Sequence, residues 1–258
     1  MAPSPTVRAA CLLAICALLI SGAVNGSAFA AAGLLPNLVE LPPTDIHVTP
    51  SADGRSYDLR FTSTAGNTGS GPLVVSASRV SPTKPFRIVQ LIAIGDGTNT
   101  VHPVATSMRF QSAIGHDHFH LARFERYELL DSNGNVLVRD SKAGYCLGDR
   151  VKLGTPAGPA RFDTNCGLGK PLLLSLREGI STGWADPYEA DLPGQSFTLT
   201  GLAAGTYTLV NRVNDRRAYV ESNYGDDVAA ATLKLAWPDG AAGAPTVTVV
   251  GTCLAVRC

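Results

Sequence analysis

The chain carries little charge and no excess of either sign: 16% of its 258 residues are Asp, Glu, Lys or Arg, and 21 acids balance 21 bases. A surface that tracks nucleic acid or an anionic membrane needs an excess of Lys and Arg, so the composition predicts no nucleic-acid partner and no stable membrane anchor. Long stripes of apolar residues at i, i+3, i+4 and i+7 are missing after residue 30, which argues against a helical bundle. No internal repeat is visible, so solenoids and propellers drop out. Gly167-Leu-Gly-Lys170 lacks the spacing and the following hydroxyl residue of a phosphate-binding loop.

Cysteine is also sparse. Two of the six, Cys11 and Cys16, fall in a stretch with the layout of a secretory signal: Arg8, an apolar run from Ala9 to Ile20, and Ala28-Phe29-Ala30 as the small-x-small cleavage site. The expected organisation is a signal peptide over 1–30, an extended segment over 31–50 and one domain over 51–258, secreted to the extracellular space. Cleavage before Ala31 leaves four cysteines, an even number suited to an oxidising compartment. Three pairings are open. Short local loops favour Cys146 with Cys166 and Cys253 with Cys258, although spacing alone does not decide.

What the chain does have is 45% hydrophobic residues, broken into short alternating runs by Gly, Pro and Asn clusters. That pattern predicts an all-β fold, an antiparallel β-sandwich with long loops. Asn37 to Val48 reads as extended and interrupted at Pro42-Pro43, and Tyr57 to Thr62 alternates before the turn-rich Gly66 to Gly71. Phe124 to Leu130 and Val136 to Arg139 flank Asn133-Gly134, a pair suited to the positive φ of a tight hairpin. Ser196 to Thr200, Thr206 to Val210 and Ala231 to Ala236 add further strands, while Gly148 to Pro171 reads as a long loop.

His116, His118 and His120 alternate strictly, placing three of the five histidines within five residues. In a strand they share one face, with Asp117 and Phe119 on the other. A rise of roughly 3.3 Å per residue keeps the outer rings apart, so twist, a bulge or rotamer choice must bring the three nitrogens to about 2 Å from one ion. Imidazole suits copper, zinc, iron or nickel, and three such ligands leave an exchangeable position. His47 and His102 stand alone and read as structural.

Motifs further along the chain change what the triplet means. His116-Asp-His-Phe-His120, Arg126-Tyr-Glu-Leu-Leu-Asp131, Ser141-Lys-Ala-Gly-Tyr-Cys146 and Gly183-Trp-Ala-Asp-Pro-Tyr-Glu-Ala-Asp-Leu-Pro-Gly-Gln195, followed by Gly205-Thr-Tyr-Thr-Leu209 and Glu221-Ser-Asn223, resemble the lysyl oxidase family in order and spacing. The resemblance runs from about Leu59 to Trp237.

It implies a copper amine oxidase that deaminates primary amines, whether small amines or protein lysine side chains, with O2, giving aldehydes, H2O2 and NH3. The family's copper ligands map onto His116, His118 and His120. Its organic cofactor, lysine tyrosylquinone, maps onto Lys142 and Tyr188. Asp186 and Asp191 flank Tyr188 and are expected as proton acceptors, while Tyr145 and Trp184 are expected to pack. Arg126 stands where some relatives have histidine. Two other classes fit the triplet alone: a non-catalytic secreted copper-binding β-sandwich for storage or adhesion, and a three-histidine zinc hydrolase.

Overall fold

Tyr57–Asn67 is the longest strand, and its sequence shows why. Leu59, Phe61, Ser63 and Ala65 occupy alternate positions and are fully buried, while Arg60, Thr62 and Thr64 between them are partly exposed. That is the two-residue period of a half-buried strand. The computed structural model describes Met1 and residues 33–258, leaving out Asp96, 113–116, 140–141, 143, 155–157 and Ala242. The expected signal segment and its cleavage site lie outside the described residues.

The long strand organises a six-stranded antiparallel sheet. Leu38–Glu40 and Trp184–Tyr188 pair along its C-terminal half, Thr44–Pro50 and Ser196–Thr198 along its N-terminal half, and Val151–Lys152 extends the edge beside Trp184–Tyr188. A five-stranded sheet runs in the order Val136–Arg139, Glu125–Leu130, Gly205–Val213, Val228–Ala236, Thr246–Cys253. These two sheets face each other through Phe61 and Tyr127, whose rings meet edge to face at 5.2 Å. Ser175–Ile180, Leu73–Ser78, Arg87–Ala93 and Asn99–Pro103 form a third sheet, and Met108–Gln111 pairs with His118–Leu121 as a ribbon. The described residues contain no helix. One apolar core joins all four sheets, with Phe61, Tyr127, Val75 and Phe119 among its members. The all-β antiparallel class expected from the sequence is the observed one.

Local expectations meet the structure unevenly. The break at Pro42-Pro43 separates Leu38–Glu40 from Thr44–Pro50, as a residue pair without N–H donors requires. Val136–Arg139 has its expected bounds. The hairpin turn differs: only Gly134 has positive φ, at 86°, while Asn133 does not. Asp131 explains this, because its carbonyl accepts from Gly134 N and its Oδ1 accepts from Asn133 N and Asn135 N, closing a longer turn than the two-residue type. Both disulfides favoured from loop length are formed, Cys146–Cys166 and Cys253–Cys258.

Candidate active site

The His118–Leu121 strand alternates as its sequence demands. Phe119 and Leu121 are buried, and His118 and His120 sit half-buried on the opposite face. Their Nε2 atoms lie 2.8 Å apart. Two nitrogens bound to one ion at about 2.0–2.1 Å stand about 3.0–3.4 Å from each other, so the pair fits a shared metal with a small adjustment. His116 lies outside the described residues, among which no group of three metal-binding side chains assembles.

Backbone bonds on both edges hold this strand. Met108–Gln111 pairs with one edge. On the other, Leu121 and Tyr145 exchange hydrogen bonds of 2.7 and 2.8 Å, and Phe119 N donates to Cys166 O at 2.9 Å. The Cys146–Cys166 disulfide links those two flanking segments to each other. Gly144 allows the contact: a Cβ there would come within 2.5 Å of His120 Cβ. The segment bearing Lys142 is thereby pressed against the histidine strand.

Lys142 and Tyr188, separated by 46 positions in the sequence, come together here. Lys142 Nζ lies 4.9 Å from the Tyr188 ring centroid and 5.4 Å from that of Tyr145. The two rings meet edge to face at 4.9 Å, and Tyr145 OH donates to Glu125 O. Gly194, with φ +80°, lets the loop after Tyr188 pass close to Lys142, since a Cβ there would lie 3.0 Å from Lys142 Cα. Trp184 Nε1 donates to Gly158 O, anchoring the start of the Tyr188 strand.

Asp186 and Tyr188 are two apart on one strand and share a face. Tyr188 OH donates to Asp186 Oδ2 at 2.9 Å, Gly148 N donates to the same oxygen at 3.3 Å, and the Arg150 guanidinium pairs with Oδ1. Burial pushes the Asp186 carboxyl up to about 6, against the pull of Arg150 and the Tyr188 hydroxyl. Burial, and then the Asp186 charge, push the Tyr188 phenol well above its usual range. Asp191 is exposed in the following turn.

A second acidic group at this site was not foreseen from the motifs. Ser63 Oγ lies 3.0 Å from Glu40 Oε1 and 2.6 Å from Glu125 Oε2, and Tyr127 OH donates to that same Glu125 oxygen. One hydroxyl hydrogen cannot serve two carboxylates. With Ser63 donating to Glu125, Glu40 is the protonated member and donates to Ser63 Oγ. Burial accounts for this, holding Glu40 well above the ordinary carboxyl range and Glu125 at about 7, with Ser63, Tyr127 and Lys142 opposing the rise in Glu125. The available signal was parity, since Leu38 and Glu40 share the buried face of Leu38–Glu40.

Two cavities adjoin. One of about 350 Å³ is lined by His120, Arg109 and Arg123, and one of about 320 Å³ by Lys142, Glu125 and Arg123. Ala122 and Arg123 line both, so the histidine and lysine cavities share a wall.

The chain is similar to known proteins over much of its length. The family model for lysyl oxidase matches residues 77–239, more than half of the chain. Human lysyl oxidase homolog 1 is 28% identical over 123 residues, covering 46% of this chain and 19% of that protein. Human protein-lysine 6-oxidase is 29% identical over 124 residues, covering 46% and 26%. Lysyl oxidase homolog 2 of Xenopus tropicalis is 27% identical over 157 residues, covering 59% and 19%. The match spans about a fifth to a quarter of the length of these relatives.

Proposed function

The chain belongs to the lysyl oxidase family, and on that premise we propose that it is a secreted copper-dependent amine oxidase, using a lysine tyrosylquinone made from Lys142 and Tyr188. It converts primary amines, small or borne on protein lysines, to aldehydes with O2 and water, releasing H2O2 and NH3. His116, His118 and His120 hold the copper. When bound, copper supplies oxidation of the Tyr188 ring by O2, and the finished quinone supplies the electron sink for amine oxidation.

One observation carries this reading: Lys142 Nζ stands 4.9 Å from the centre of the Tyr188 ring. Addition of that nitrogen to a carbon of the oxidised ring needs the two groups side by side, and packing by Tyr145 and Gly194 favours that proximity. Neither a copper store nor a zinc hydrolase needs a lysine placed over a buried tyrosine.

The chain's own residues then have distinct work. Asp186 accepts the Tyr188 hydrogen bond and fixes the orientation of the ring. Arg150 keeps the Asp186 carboxyl ionisable in a buried place. Glu125 lines the Lys142 cavity and titrates near neutrality, so it is placed to take a proton from an amine bound there. Ser63 and Glu40 back Glu125 as a hydrogen-bonded pair. The two disulfides support an oxidising, extracellular compartment.

The test is amine-dependent peroxide release after aerobic copper loading. It is expected to vanish in both Lys142→Ala and Tyr188→Phe, and undiminished release in both variants overturns the proposal. Copper binding without quinone absorbance or a hydrazine adduct would favour the storage or adhesion protein.

A further inference from the structure

Between the His118–Leu121 and Glu125–Leu130 strands the chain turns at Ala122, Arg123 and Phe124, and Arg123 takes a left-handed backbone with φ 60°. A bulky residue holds that conformation only where its surroundings enforce it. A second left-handed turn is bonded to the first. Asn214 and Arg217 have φ of 49° and 50°, and Asn214 N donates to Phe124 O at 2.9 Å. The Asn214 side chain is fixed in turn, its Nδ2 donating to Tyr219 O and its Oδ1 accepting from Tyr219 N. Arg123 and Arg216 are therefore presented by two turns locked to each other.

Both arginines line the cavity of about 320 Å³ that Lys142 and Glu125 also line, together with Arg126 and Arg139. Acids at this mouth are already engaged. Asp215 is held by Arg126 at 2.8 Å, and Glu128 is shared by Arg126, Arg139 and Arg212 at 3.3 to 3.6 Å. Arg123 and Arg216 make no ion pair among the described residues. At the other chemical extreme, Glu125 Oε1 is buried without a hydrogen-bond partner. The cavity thus offers two guanidinium groups without an ion pair, with the largely buried Glu125 in its wall beside Lys142.

We propose that this cavity selects short primary amines bearing a carboxylate at the far end, with Arg123 and Arg216 taking the carboxylate and Glu125 facing the amine beside Lys142. Guanidinium forks match carboxylates in geometry as well as charge. A diamine would meet the same arginines with its second ammonium and be repelled, so the mouth discriminates by sign. The volume lies at the lower end of the range for small-molecule sites, which suits an amino acid of about six carbons. Arg123 also lines the histidine cavity, so a carboxylate held there lies at the wall shared by both. The fate of the amine rests on the oxidase reading above; the binding does not.

Three amines of one chain length test the selectivity in the copper-loaded protein: 6-aminohexanoate, hexylamine and 1,6-diaminohexane. The expected kcat/KM for 6-aminohexanoate exceeds that for the diamine by about tenfold or more. Arg123→Ala and Arg216→Ala reduce that ratio, and Arg216→Glu turns it toward the diamine, a gain that a misfolded variant would not show. Binding of hexanoate, followed by calorimetry, separates the two readings. Hexanoate binding that weakens about tenfold in the double alanine variant, with no amine oxidised, leaves the carboxylate site standing and the oxidase reading fallen. Equal use of the three amines, or a diamine preference in the unaltered protein, overturns the carboxylate site, as does hexanoate binding that ignores both arginines.

Discussion

Gly144 lies against His120 so closely that a Cβ at position 144 would come within 2.5 Å of the His120 Cβ. No positive φ is involved at Gly144, so the constraint is steric and local. Gly144→Ala should therefore displace His120 relative to His118, costing about 1–3 kcal/mol of stability and weakening copper binding about tenfold or more. Copper titration of the apoprotein alongside thermal melts checks this. Native copper affinity in a folded variant would count against the close packing.

Arg150, partly exposed, pairs with the fully buried Asp186 carboxyl that accepts from Tyr188. Removing the cation leaves that buried carboxyl without its partner, a loss of about 1–3 kcal/mol. Arg150→Ala should melt well below the unaltered protein and form quinone slowly if at all. Adding Asp186→Asn should recover part of the stability, because the uncompensated charge is gone, without recovering quinone formation. Melting curves and the quinone absorbance distinguish these outcomes.

Several buried carboxyls have raised pKa values, which fixes a pH dependence for the metal-free protein. Burial pushes Glu125 and Glu221 up to about 7, Asp186 to about 6 and Asp227 to about 8. A carboxyl raised on folding binds its proton more tightly in the native state. Its contribution is fully present below the unfolded pKa near 4 and is lost as pH rises through the folded value. Stability should fall from pH 5 to pH 8, by about 3 kcal/mol from Glu125 alone, lowering Tm by more than about 5 °C. Glu125→Gln should flatten the slope. A Tm that rises over this interval would contradict the burial of these groups as neutral acids.

Features set by local rules were legible in the sequence. The shared face of His118 and His120 follows from strand alternation, and the two disulfides follow from short loops. Lys142 and Tyr188 were legible only through the order of several motifs, because nothing local in either residue distinguishes it from a surface lysine or a packing tyrosine. Trp184–Tyr188 was hidden as a strand by Pro187, which argues against a ladder. The strand tolerates it because pairing with Val151–Lys152 ends at Ala185. Glu40, Ser63 and Glu125 could not be joined from sequence: their bonds span 23 and 62 positions across two sheets, and register between distant strands is set by the assembled core. Asp186 is expected from sequence as a proton acceptor beside Tyr188, but its strand position and burial come from that same long-range pairing.

The central claim is that this chain makes its own cofactor from Lys142 and Tyr188. A peptide map of the aerobically copper-loaded protein tests it most directly, by searching for one covalently joined species that contains both the Lys142 and the Tyr188 peptides. The account predicts that joined species after copper loading in air, its absence in copper-free protein, and its absence in Lys142→Ala. Recovery of the two peptides only as separate, unmodified species after full copper loading would contradict it.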